Sequence, residues 1–266
     1  MGCVSSPAFY VSDGHDADGT ERFLSTEHTN GPWGQEVQHG GPPSALMARA
    51  LERMPADGER VVARLTVDLW GPVPVAPLSV STQVERPGRS VELVSAELRT
   101  ADRLVARASA WRFPVREANP VTPDIPVPAG PEHGREQPRP PSWHGGYLDA
   151  VEWRWIHGAV TEPGPATVWM RPRVSLVEGE PLSPLQRLLV CADSASGASA
   201  ALDPADWAFM NTELSVHLVR PMEGPWVCVD AETTLAGTST GLAASRLLDQ
   251  HGLVGRSAQS LFVARW

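Results

Sequence analysis

The chain contains no lysine. Its 22 basic residues are all arginine, set against 31 aspartates and glutamates for a formal net charge of −9. No run of basic residues occurs anywhere, which argues against a nucleic-acid partner. Cysteine is nearly absent. Cys3, Cys191 and Cys228 are odd in number and far apart, which fits neither a disulfide framework nor a metal site. A reducing cytoplasm is the expected compartment. The eight histidines lack zinc-ligand spacing, so neither a metal nor another cofactor is expected. No apolar run reaches the length of a membrane span, and the N-terminus lacks the basic and apolar regions of a secretory signal. "MGCVSS" fits the myristoylation pattern. The Ala-, Gly- and Pro-rich, lysine-free composition instead reads as a GC-rich bacterial coding sequence, in which that match is a coincidence.

What is abundant is apolar residue and proline. Hydrophobic residues make up 42% of 266, enough for one large domain or two fused small ones. Nine prolines lie from Pro114 to Pro141. Such a stretch cannot pair in a sheet and should run over the surface. It divides the chain into residues 1–113, a linker over 114–142, and residues 143–266. The two halves resemble each other. Shifted by 149 positions, "LTVDLWGP" (65–72) falls on "LSVHLVRP" (214–221), and the match runs on without a gap. Val80 meets Val229, Gly88 meets Gly237, Leu98 meets Leu247 and Arg107 meets Arg256. Twelve identities over 43 positions mark an internal duplication.

Each half reads alike: a short strand near 22–28 or 167–173, a helix over Ser44–Arg53 or Leu185–Ala201, then four strands. These are expected near 61–69, 78–86, 91–100 and 104–112, and again near 212–219, 226–235, 240–248 and 253–264. Alternation such as Leu65, Val67 and Leu69 on one face supports them. One helix followed by a run of antiparallel strands is an α+β layer fold. The acidic N-terminal segment (Asp13, Asp16, Asp18) is expected to be a disordered or lightly docked tail.

"QHGGPPSALMARALER" (38–53) places a bare glycine pair and two prolines before an apolar helix. Helix N-termini expose unpaired N–H groups and a positive dipole end. Gly40 and Gly41 would let a ligand approach that backbone closely. Pro42 and Pro43 suit a first turn. A carbonyl placed there would find donors for a developing oxyanion. The alternative is an ordinary tight turn, with His39 a loop residue.

These segments, with "MNTELSVHLVRP" and "GLVGRSAQSLFVAR" in the second half, resemble the double-hotdog acyl-CoA thioesterases. The resemblance covers nearly the whole chain outside the N-terminus and linker. It implies two tandem hotdog units, each a long helix wrapped by an antiparallel sheet. It also implies hydrolysis of an acyl thioester by a water that an Asp, a Thr or Asn, and a Gln hold. On matching positions these are Asp193, Asn211 and Gln259, with Thr212 beside Asn211 as the reserve. Asn211 departs from the Thr of the best-known members. His39, Gly40, Gly41 and Trp33 would contact substrate, an acyl-CoA or acyl carrier protein thioester. Such chains often associate further as homo-oligomers.

The residues carry part of this alone. Gln259 shares a strand face with Leu253, Gly255, Ser257, Leu261 and Val263, and a polar group on a core face needs partners. Its repeat counterpart is Ala110, so the scaffold does not require it; a bond to nearby backbone is the competing explanation. Asp193, opposite Ser44 at the same offset, is either functional or a helix cap. Asn211 and Thr212 face Val62 and Ala63 in the repeat. Strand parity groups Thr212 with Leu214 and Val216, against the resemblance, which favours Asn211. "GTSTG" (237–241) fits a nucleophile elbow, but the repeat places it in a hairpin rather than a strand-to-helix turn. The ten tryptophans are expected mostly in the core or at subunit contacts. Two other functions stay open: a non-hydrolytic acyl-CoA-binding protein, and a hydratase or dehydratase. The latter usually needs an Asp–His pair, and no His follows Asp193 at a plausible spacing.

Overall fold

The computed structural model describes residues 7–101, 103–117, 125–140 and 143–266. Cys3, the "MGCVSS" start and parts of the proline-rich linker lie outside the described residues.

In the first half, strands β1 (Ala8–His15), β2 (Glu21–Ser25), β3 (Asn30–Gly31) and β4 (Gly34–Gln38) precede helix α1 (Gly41–Arg53). Strands β5 (Arg60–Leu69), β6 (Pro77–Arg86), β7 (Glu92–Arg99) and β8 (Leu104–Pro114) follow. The second half opens with α2 (Gly146–Ala150), β9 (Val151–Ala159), β10 (Glu162–Pro172) and β11 (Ser175–Val177). Helices α3 (Pro184–Ala192) and α4 (Ala195–Ala198) come next. The last strands are β12 (Trp207–Asn211), β13 (Glu213–Leu218), β14 (Val227–Leu235), β15 (Thr240–Asp249) and β16 (Gly252–Arg265). Each half is one hotdog unit. Their strands join in a single 14-stranded sheet, and α1 packs against α3 inside it.

The seam between halves is β5 against β13. Val67 pairs with Leu214 and Leu65 with Val216, while Thr66 faces Ser215. The Thr66 and Ser215 hydroxyls lie 3.1 Å apart and are repeat counterparts, 149 residues apart. A local two-fold axis therefore passes between them. The repeat extends to irregularities. A bulge at Val105 in β8 recurs at Val254 in β16. That second bulge corrects the expected face of β16: Val254 enters the main core, while Leu253 joins a small cluster with Trp169, Cys228 and Leu248.

Other expectations change as well. The N-terminal segment is no loose tail. Ala8, Phe9 and Tyr10 are fully buried, and β1 pairs in parallel with β11 and antiparallel with β2. Apolar residues at its start outweigh the acidic ones at its end. The linker also docks in part: Arg135 bridges to Trp155, and the Trp169 indole N–H donates to the Ala129 carbonyl at 2.7 Å. Helix α1 starts three residues earlier than expected because both prolines fit its first turn. The second helix is broken: α3 ends at Ala192, and the chain turns at Asp193 and Ser194 before α4. Asp193 is thus a helix end rather than a helix start, and Ser44 is not its counterpart. The N-caps Gly40 and Ser183 do not follow the strand offset.

Candidate active site

Helices α1 and α3 run antiparallel, so the N-terminus of α1 meets the C-terminus of α3. Close approach there requires residues without side chains. A methyl group on Gly41 would overlap the carbonyl oxygen of Val190. One on Gly40 would stand 2.7 Å from Asp193 Oδ2. The glycine pair thus admits the second helix and its carboxylate, not a ligand alone. Helix α1 has no acidic residue in its own first turn. The buried Asp193 carboxylate supplies that negative charge to the positive end of the helix dipole.

Asp193 is held from two strands. Asn211 Nδ2 donates to Oδ1 at 2.8 Å. Gln259 Nε2 donates to Oδ1 at 3.0 Å and to the Asp193 carbonyl at 3.1 Å. The Ser196 N–H donates to Gln259 Oε1 at 3.2 Å. Gln259 is fully buried, and both ends of its amide are engaged, so it also caps the broken helix. The strand-parity conflict resolves physically. The chain bends at Thr212 between β12 and β13, so Asn211 turns inward and Thr212 is exposed at the cavity wall. The first half repeats this irregularity at Ala63, where β5 slips against β8.

The other carboxylate oxygen faces His39. Asp193 Oδ2 and His39 Nδ1 are 3.3 Å apart. Burial pushes the imidazole below its ordinary pKa, against the opposing pull of Asp193. The neutral ring accepts the Gly41 N–H at Nδ1, 3.1 Å away. The expected Asp–His absence is therefore corrected: the histidine comes from the other half of the chain. The expected oxyanion role of the helix start is weakened as well. Pro42 and Pro43 have no N–H, and that of Gly41 is spent on His39. Gly41 also does not line the cavity, whereas Gly40 and His39 do.

Sequence reasoning missed Tyr147. Its ring stacks on His39 at 3.7 Å and 8°. Its hydroxyl donates to the Val190 carbonyl at 2.7 Å and lies 2.8 Å from Ser194 Oγ. Burial holds its phenol well above the ordinary range. Only a contact between halves reveals this role.

Asp193, Asn211 and His39 open onto a cavity of about 930 Å³. Five tryptophans, 33, 143, 153, 155 and 266, line it; a substrate contact was expected of Trp33, and core or subunit roles mostly of the others. Trp33 is 45% exposed and packs edge-on to Trp143 at 5.7 Å. Among the described residues no group of His, Cys, Asp and Glu could hold a metal ion, and no helix is long and apolar enough to cross a membrane. Ser239 lies in the turn between β14 and β15, away from this cavity.

Two hotdog units closed into one sheet around paired helices, with a carboxylate-bearing cavity between them, define a double-hotdog protein. Residues 29–113 match the model of the acyl-CoA thioesterase N-terminal domain, and residues 131–263 that of the C-terminal domain. The chain belongs to this acyl-CoA thioesterase family. Solved structures agree in fold. A provisionally named thioesterase of Novosphingobium aromaticivorans is 19% identical, with TM-score 0.75 and coverage of 97% of this chain and 99% of that one. A provisionally named thioesterase II of Thermobifida fusca is 18% identical, with TM-score 0.75 and coverage of 99% and 100%. An acyl-CoA thioesterase II of Mycobacterium marinum is 14% identical, with TM-score 0.66 and coverage of 96% and 95%. No curated protein matches the sequence.

Proposed function

We propose that this protein hydrolyses an acyl thioester, with coenzyme A as the carrier and Asp193 as the general base. The observation that supports it is the division of labour on one buried carboxylate. Oδ1 accepts from both Asn211 and Gln259, while Oδ2 takes neither bond and lies beside His39 Nδ1. A water hydrogen-bonded to Oδ2 would transfer its proton there while its oxygen attacks the thioester carbon. The new C–O bond gives a tetrahedral intermediate. Its collapse breaks the C–S bond, and the thiolate takes the proton from Asp193. Carboxylic acid and free thiol are the products. Gln259, with its amide committed to Asp193 and Ser196, acts as a positioning residue rather than a ligand to water. Asn211 positions the same oxygen. The tryptophan walls take the acyl group.

The test is thiol release across an acyl-CoA panel, short to long and aromatic, for the wild type and Asp193→Asn. Turnover in the wild type and its loss in a folded variant support the reading. Acyl-CoA binding without turnover on any substrate would make this a binding protein instead. Turnover that survives the substitution would remove Asp193 from the chemistry.

One observation favours a second reading. The His39–Asp193 contact supplies the acid–base pair that addition or removal of water at an enoyl thioester needs. Change in enoyl-CoA absorbance without thiol release would select that chemistry.

A further inference from the structure

The local two-fold axis gives the active-site cavity a mate at the opposite end of the helix pair. This second cavity has a volume of about 640 Å³. Val61, Val62, Ala63 and Phe113 line it. Their repeat counterparts Met210, Asn211, Thr212 and Phe262 line the first. Pro221 and Met222 match Pro72 and Val73 in the same way. The enclosure is thus inherited, but the polar groups are exchanged. Val62 replaces Asn211 and Ala110 replaces Gln259, so the two amides that hold Asp193 have no counterpart here. In return, Arg60 stands where the other half has Phe209, and Arg112 where it has Leu261.

The two arginines share one carboxylate. Arg112 Nε and Nη2 donate to Glu92 Oε2 at 2.9 and 2.5 Å. Its remaining N–H groups cap α1 through the carbonyls of Leu51, Met54 and Pro55. Arg60 is left short. Its Nη2 donates to the Gly88 carbonyl at 3.0 Å, and its Nε lies 3.9 Å from Glu92 Oε2, beyond hydrogen-bonding range. The Arg60 side chain is only 5% exposed, and Nε and Nη1 are buried without an acceptor. Buried, unpaired guanidinium N–H groups are unfavourable. Other charges at this cavity are engaged or exposed. Arg220 is matched by both oxygens of Asp249, Glu52 accepts from Ser183 and Gln186, and Glu59 is at the exposed rim.

We propose that this second cavity binds an amphipathic carboxylate, a fatty acid, without transforming it. Arg60 takes the carboxylate and the chain lies along Leu185, Leu188 and Met222. A turn of the guanidinium toward the lumen sets two N–H groups on one carboxylate, the geometry arginine favours. The assignment is independent of thioester hydrolysis at the first cavity.

The test is equilibrium dialysis of the full chain with dodecanoate and, separately, dodecanol. Wild type is expected to bind one more dodecanoate per chain than Arg60→Leu. Dodecanol should bind that site at least about tenfold more weakly, the worth of a charge-assisted hydrogen bond. Val62→Phe, which fills the cavity and leaves the charge, should lose the same equivalent. Thermal unfolding checks that each variant is folded; if Arg60→Leu is not, Val62→Phe decides. Equal dodecanoate uptake by wild type and a folded variant, or equal affinity for acid and alcohol, would overturn the proposal.

Discussion

At one end of the helix pair a buried carboxylate is held by two amides; at the other, the matching strand positions carry valine and alanine. The backbone is repeated down to its bulges, at Val105 and Val254 and at Ala63 and Thr212. The difference teaches that the duplicated scaffold builds an enclosed cavity twice, and that three side chains, Asp193, Asn211 and Gln259, set one end apart from the other. None of the three is needed to form the sheet, because the first half forms it without them.

Breaking the polar end should have the largest effect. Asp193→Asn keeps the shape and removes the base, and is expected to lower kcat for thiol release by about 10²–10⁴-fold. Unchanged kcat in steady-state assays would contradict the assignment. Gly41→Ala attacks the helix contact that brings His39 and Asp193 together. Because Val190 must shift, a loss of about 2–4 kcal/mol is expected in denaturant unfolding. Gln259→Leu preserves volume but strands the Ser196 N–H and the Asp193 oxygen. Single-turnover kinetics should show about a 10²-fold slower chemical step through misplacement of the base. Unfolding should show a loss of about 1–3 kcal/mol. The mildest test is pH. Burial depresses the His39 pKa in the fold, so the unfolded chain binds the proton first as pH falls. The related stability is present above the unfolded value, about 6.5, and declines as pH drops toward the lower folded value. Thermal unfolding of His39→Asn from pH 7.5 to about 5 should show a shallower decline than wild type.

Much of the fold was legible because strands announce themselves by alternation and the repeat doubled each signal. Leu65, Val67, Leu214 and Val216 face the core as their spacing implies. The failures share a cause: they depend on contacts distant in sequence or on single inserted residues. A bulge at Val254 changes which neighbour is inside. The bend at Thr212 decides that Asn211, and not Thr212, meets Asp193. The break in the second helix at Asp193 lies in a run of small residues whose propensity marks no end. Gln259 stood out because an amide on an apolar face demands partners. The His39–Tyr147–Asp193 assembly crosses both halves, so no local pattern held it. The glycine pair was visible, but its partner, Val190, was not.

The Thr66–Ser215 seam bears on assembly as well as architecture. Strands β5 and β13 present nearly the same edge, so β5 of one molecule can accept β13 of another as readily as its own. Covalent linkage of the two halves favours the internal partner by raising its effective concentration, and Ala129 and Arg135 of the connecting segment dock on the second half. Crowded refolding thus invites exchange of whole halves between molecules, a domain swap in which every native strand pair is kept.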